Sequence, residues 1–239
     1  MRKKFILFLV EGINDKREIE AVLHTKYFSD YLVNYVPYFL PSNGDITTSK
    51  GISIKNVQQK LNDMLLDFRR NGIPYSNIAV QDIQEMVQIV DLDGAFIPDS
   101  KIIRSDSNFF QYTDENIVTS NVDGAKGRNR KKAEILRKLV EIKQVGNVPY
   151  SVYFVSCNMD HVLFDCRSLR PNEKTSKAFD FQVKCEKNAE LLEESLFKKG
   201  VATETSYAAS WTDIQEGCRS LNRHTNMNLF FGEGAKNPK

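Results

Sequence analysis

Asp91 and Asp93 close an apolar run in "VQIVDLDG", Val87 to Gly94. If that run is a strand, residues two apart share a face, so both carboxylates point to the same side. Paired carboxylates repel each other unless something positive lies between them. A divalent cation would serve. Glu11 stands in the same relation to an earlier apolar run, Lys4 to Val10 in "KKFILFLVEG". Glu11, Asp91 and Asp93 would supply hard oxygen ligands of the kind that suit magnesium, manganese or calcium. Such a site keeps waters and open positions, fits magnesium bound together with a phosphate, and can activate a water or stabilise a leaving oxygen. Gly12 would let a substrate backbone approach the end of the first run. Each acid also has a plainer reading. Asp and Gly after a strand are ordinary turn chemistry with Gly94 as the hinge, and a strand-end glutamate is commonly just solvated.

The elements that must position these acids follow from periodicity and punctuation. Lys4 to Val10 reads as a buried strand, followed by a helix over "NDKREIEAVLHTKYF" that Asn14 or Asp15 can cap, with Ile19, Val22 and Leu23 as its apolar stripe. "YLVNYVPYFL" is a second strand whose Pro37 argues for an edge position or a bend. A loop, "PSNGDITTSKG", leads to a helix with Ile54, Val57, Leu61, Leu65 and Phe68 on one side, ending at Asn71-Gly72. The strand with the two aspartates comes third. Residues 95–127 are polar and read as an insertion with one short strand. A basic helix, "RNRKKAEILRKLVEIKQ", precedes a fourth strand, "YSVYFVSCNMD", which ends at Asn158. "HVLFD" begins a helix, residues 176–200 hold one or two more, and "WTDIQEGCRSLN" another; "TNMNLFF" reads as a last short strand and "GEGAKNPK" as a frayed tail.

Strands alternating with helices give an α/β fold: a mostly parallel sheet flanked by helices, with a mainly helical C-terminal extension. The expected division is a core over 1–165 and a C-terminal part over 166–239 packed on it. In a parallel sheet the strand ends share one edge, where ligands bind. Glu11, Asp91 with Asp93, and Asn158 with Asp160 would then meet at one site. Asp160 joins the candidate metal ligands. Asp15, Asn158 and His161 are candidate accessory residues, although a histidine at His161 more often caps a helix or sits satisfied in a wall.

Bulk properties narrow the classes. The chain has 239 residues, 41% apolar and 27% charged, enough for a core and unlike a disordered chain. The net charge of +2 does not select a nucleic-acid partner. A local patch could: "KGRNRKKAEILRK" carries Arg128, Arg130, Lys131 and Lys132 with Glu134 as its one acid, and could track a phosphate backbone. A solvated helix face is the alternative. No aromatics interleave with the run, so it gives no sign of base stacking. The four cysteines, Cys157, Cys166, Cys185 and Cys218, have no CxxC spacing for zinc. Cys157 reads as a small packing residue. The opening apolar run, Phe5 to Val10, is too short for a signal segment or a membrane span, which makes the cytoplasm the expected location.

Taken together, "LFLVEGINDK" and "VQIVDLDG" resemble the Toprim domain of topoisomerases, primases and OLD-type nucleases. There a glutamate follows the first strand and a DxD follows a later one. "SVYFVSCNMDHVLFD" and "LNRHTNMNLFF" are similar to segments of RloB-like stand-alone Toprim proteins, which are associated with bacterial anti-phage defence and abortive infection. The resemblance implies that Glu11, Asp91 and Asp93 bind Mg2+ or Mn2+, with Glu11 also a general acid or base and Asp15 a looser match. It implies a nuclease acting on DNA or RNA, transfer RNA included. Two positions depart from the pattern: Met159 replaces a proline, and Asp160 stands one residue away from the expected glutamate. The chain has no P-loop, so a separate ATPase or sensor subunit is an expected partner. The alternative is a non-catalytic nucleic-acid-binding or regulatory subunit of an ATPase-containing complex.

Overall fold

A computed structural model describes residues 4–22, 35–41, 45–71, 78–106, 110–188 and 190–231. His24, Gly72, the end of the first helix pattern and the "GEGAKNPK" tail lie outside them. The elements in chain order begin with β1 (Lys4–Val10), α1 (Ile13–Val22), β2 (Tyr35–Pro41), α2 (Val57–Asn71) and β3 (Ile83–Asp91). Three short strands follow, β4 (Ile102–Arg104), β5 (Gln111–Tyr112) and β6 (Ile117–Thr119), then α3 (Val122–Glu141), β7 (Gln144–Val145) and β8 (Val148–Ser156). The chain continues through α4 (Met159–Phe164), α5 (Pro171–Lys187), α6 (Glu190–Leu196), α7 (Tyr207–Asp213), β9 (His224–Thr225) and α8 (Asn228–Phe231).

The main sheet runs β2-β1-β3-β8-β7, with β9 also on β8. The first four strands in that order are mutually parallel, as the alternation of strand and helix required. β1 and β3 lie inside the sheet and are covered on both faces, which is why their sequences are continuous apolar runs. Ile6, Phe8 and Val10 pack into a core with Ile19 and with Phe181, Leu196 and Phe231 of the C-terminal part. Leu7 and Leu9 face the opposite core, with Leu61, Leu65 and Phe68 of α2, Leu136 and Leu139 of α3, and Trp211. This is strand alternation read out as two hydrophobic layers. Each fully buried side chain of this size contributes about 1.5–3 kcal/mol. Among the described residues β2 is the outermost strand beside β1, an edge position of the kind that tolerates Pro37.

Several expectations need correction. The segment 95–127 holds not one strand but a small sheet, β4-β6-β5, over its own core of Ile97, Ile102, Ile117, Ala125, Cys157 and Leu221. Its last residues already belong to α3, which starts at Val122 because Asn121 caps it by accepting from the Gly124 N–H at 2.9 Å. Gly124 and Gly127, poor helix formers, hid that start. Ile54 lies before α2 and is exposed. In the mainly helical C-terminal part, β9 pairs antiparallel with β8. The segment read as a last strand, "TNMNLFF", contributes only its Thr225 to β9, and Asn228–Phe231 is a helical turn. "WTDIQEGCRSLN" contributes only the end of α7, and a 3-10 turn follows at Arg219–Leu221.

Candidate functional site

All four parallel strands of the main sheet deliver an acid or amide to one edge. Asp45 comes shortly after β2, Glu11 directly follows β1, Asp91 ends β3 with Asp93 two residues on, and Asn158 and Asp160 follow β8. Glu11 and Asp91 are tied directly: Glu11 Oε1 accepts from the Asp91 N–H at 3.1 Å. Asp91 Oδ1 accepts from the Met159 N–H at 3.0 Å. The turn reading of Asp93 also holds, because Asp93 has φ 50° and Gly94 φ 68°. The two readings of "DLDG" are therefore compatible. A left-handed turn is what re-aims the Asp93 carboxylate beside Asp91.

The positive charge among these acids comes from the protein. Lys132 is fully buried, with Nζ 2.7 Å from Asp93 Oδ2, 2.8 Å from Asp45 Oδ2 and 3.9 Å from Glu11 Oε1. Asp45 is itself fixed by its turn, Oδ1 accepting from the Thr47 N–H at 2.7 Å. Neighbouring Lys131 donates to the carbonyls of Thr48 and Ser49 and fastens the same turn to α3. Burial would lower the Lys132 pKa, but Asp93, Glu11 and Asp45 outweigh it and hold the ammonium well above its usual range. Burial would likewise raise Asp93, yet Lys132 and Arg128 keep it below the usual carboxylate value. Glu11 and Asp91 fare differently. Burial pushes both well up, and neighbouring carboxylates add to it against Lys132: Asp91, Asp45 and Asp93 on Glu11, Asp15 and Asp93 on Asp91. One ammonium does not neutralise this many acids.

A cation therefore fits the donor chemistry, which is all oxygen and short of positive charge. Among the described residues no three His, Cys, Asp or Glu side chains converge as a ready-made metal cage. Asp91 and Asp93 could each offer a carboxylate oxygen to a cation whose other ligands are waters or a phosphate.

Comparisons with family models, with curated proteins and with solved structures return no match.

The basic run does not form the phosphate-tracking face expected for it. Lys132 is internal. Arg128 turns inward, donating to the Asp93 carbonyl at 2.9 Å, the Tyr112 hydroxyl at 3.0 Å and Asn129 Oδ1. Lys131 is spent on the Asp45 turn, and exposed Arg130 pairs with Asp99. Only Arg130 of the four stands out into solvent, because the helix buries the stripe carrying Ala125, Asn129, Lys132 and Leu136.

The remaining candidates are placed as follows. Asp160 is buried and pairs with Lys174, Nζ to Oδ2 2.6 Å. Asp15 Oδ2 accepts from the Gly12 N–H at 2.7 Å, closing the start of α1, and burial raises its pKa to about 6. Asn158 caps α4 by accepting from the His161 N–H at 2.9 Å and donates to the Arg167 carbonyl at 3.0 Å. His161 is a wall residue: Nδ1 accepts from the Cys157 N–H at 3.1 Å, and burial, with Arg167, lowers its pKa to about 4. Cys157 is buried and its thiol pushed far up, first by burial and then by Asp93 and Asp91, which fits a packing role.

Residues outside the candidate set complete the site. Asp45 and Tyr112 touch its core; the Tyr112 hydroxyl donates to Asp93 Oδ1 at 3.4 Å. Lys132 had a legible signal, since it falls three and four residues before Ile135 and Leu136 on the apolar stripe of its helix. Asp45 and Tyr112 had none, because a turn and a two-residue strand carry no periodicity.

Proposed function

We propose that this chain is a metal-dependent phosphodiesterase acting on DNA or RNA, and that Glu11, Asp91 and Asp93 form its reacting centre with Mg2+ or Mn2+. The observation that carries the reading is the convergence of strand-end acids from β1 and β3 at one edge of a parallel sheet, incompletely neutralised by Lys132. Asp91 and Asp93 would hold the cation, and Asp160 would stand beside them, already shared with Lys174. When bound, the cation supplies polarisation of a phosphoryl oxygen and an acidified water.

The chain's own groups do the rest. Glu11, with its pKa raised by burial and by neighbouring acids, holds a proton more readily than a solvated glutamate and can pass it to or from an oxygen at the site. Lys132 and Tyr112 hold the two oxygens of the Asp93 carboxylate, and Arg128 holds the Asp93 backbone carbonyl. The sequence resemblance to stand-alone Toprim proteins supports a role as effector in anti-phage defence, with a separate ATPase or sensor as partner. Four free cysteines suit a reducing cytoplasm. Among the described residues no helix is long and apolar enough to cross a membrane.

The test is cleavage of mixed DNA and total RNA with Mg2+, Mn2+ or chelator, comparing wild type with Asp91→Ala. Metal-dependent products lost in a folded Asp91→Ala protein support the reading, and unchanged cleavage sinks it. A second reading is favoured by one observation: Lys132 already stands among Glu11, Asp45 and Asp93. On that reading the acids are a structural charge cluster in a non-catalytic nucleic-acid-binding or regulatory subunit. Salt-sensitive nucleic-acid binding that survives loss of all three acids, without turnover in any metal, selects it.

A further inference from the structure

The carboxylates occupy only one side of a cleft of about 720 Å³. Its other walls come from β5 and from the segment entering α5, and they carry a different chemistry. Phe110 and Tyr112 line it, their ring centroids 6.4 Å apart. The Arg128 guanidinium backs the Phe110 ring at 4.4 Å from its centroid. Arg167, Arg170 and Lys174 line the same space, with the amides of Asn158 and Asn172. Arg167 is anchored by Asp114 and Lys174 by Asp160. Arg170 is exposed, and its guanidinium has no carboxylate partner among the described residues.

Acids at one end, an aromatic wall and cations beside it make a poor pocket for a purely apolar or purely anionic ligand. They match the parts of a nucleotide: an aromatic ring for a base face, guanidinium and ammonium groups for flanking phosphates, amides for base edges. The volume is that of a small-ligand site, far below what a duplex fills. A base inside a duplex is stacked on its neighbours and cannot offer its face to a ring; only an unpaired or extruded one can.

We infer that the cleft takes one unpaired nucleotide, base against Phe110 and adjoining phosphate at Arg170 and Arg167, so that the substrate is single-stranded nucleic acid. The inference rests on the nuclease reading for the identity of the reacting end, Asp91 and Asp93. It also gives the small inserted sheet a role, since β5 brings the aromatic wall to the sheet edge.

The experiment measures anisotropy of a short fluorescein-labelled oligonucleotide with the full chain in EDTA, as single strand and as blunt duplex, in DNA and in RNA. The single strand is expected to bind at least about ten-fold more tightly than the duplex. Phe110→Leu keeps apolar volume and is expected to weaken single-strand binding by about ten-fold, with Phe110→Tyr restoring it. Arg170→Ala is expected to flatten the salt dependence. Equal affinity for the two forms, or full single-strand affinity in a folded Phe110→Leu, overturns the inference. Cleavage by wild type in Mg2+ is read separately. Metal-dependent cleavage confined to duplex overturns the single-strand inference and leaves the nuclease; single-strand binding lost in Phe110→Leu, without cleavage in any metal, supports the cleft and removes the nuclease.

Discussion

The Nζ of Lys132 lies 2.7 Å from Oδ2 of Asp93, in a position with no solvent exposure at the lysine. A helix thirty-nine residues on supplies the counter-charge for the end of a strand. Removing one partner of a buried pair leaves the other charge stranded.

Lys132→Met should therefore destabilise the protein by about 3–5 kcal/mol. Denaturant unfolding measures it. The deficit should shrink as pH falls, because Glu11 and Asp93 can then shed charge by taking protons. A deficit independent of pH would mean that packing, not charge, is what Lys132 supplies.

Mg2+ should raise the thermal midpoint of the wild-type chain. At a hundred times its dissociation constant a ligand stabilises by about 2.7 kcal/mol. Asp91→Asn should abolish most of that shift, and Asn at this position also tests whether shape alone holds Met159. Calorimetric titration of Mg2+ into both proteins is the check, and equal binding would remove Asp91 from the cation site.

Glu18 of α1 is buried, its Oε2 has no hydrogen-bond partner among the described residues, and burial, followed by Asp15 and Asp160 against Lys174, raises its pKa from 4.5 to about 9. A raised carboxyl favours the fold most below pH 4.5 and loses that contribution as pH climbs to about 9. Glu18→Gln should match wild type near pH 4 and be more stable at pH 8. The wild-type curve should be steeper by up to about 1.4 kcal/mol per pH unit between. Thermal melts across that range would show it, and parallel curves would contradict it.

Gly94→Ala should destabilise by about 1–3 kcal/mol. Its φ is +68°, and a Cβ there would sit 2.6 Å from Leu221 Cδ2 and 3.0 Å from Ile117 Cδ1. The turn that aims Asp93 would shift with it, so cleavage should fall along with stability. Wild-type cleavage in the variant would show that the Asp93 turn tolerates displacement.

How much of this was legible from the residues depended on periodicity. β1, β3 and β8 stand out because strands covered on both faces must be apolar throughout, and the acids stand out because they interrupt those runs. The parallel order then followed, and with it the shared edge. Composition makes Lys132 one of a basic run, whereas its spacing to Leu136 and Leu139 puts it on the buried stripe of its helix. The inserted sheet escaped because strands of two or three residues have no pattern to detect. The pairing of Asp45 with Lys132 is purely tertiary: 87 residues separate them, and neither flanking sequence names the other.

β8 is held from behind by the last described segment. Thr225 Oγ1 donates to the Phe154 carbonyl at 2.7 Å, Asn226 Oδ1 accepts from the Phe154 N–H at 2.8 Å, and Asn226 Nδ2 reaches Ser210. A chain nicked by protease in the stretch between α4 and α5 would therefore not come apart. Its two fragments would co-purify as a non-covalent complex, and co-expression of the separated pieces should rebuild the strand that ends at Asn158.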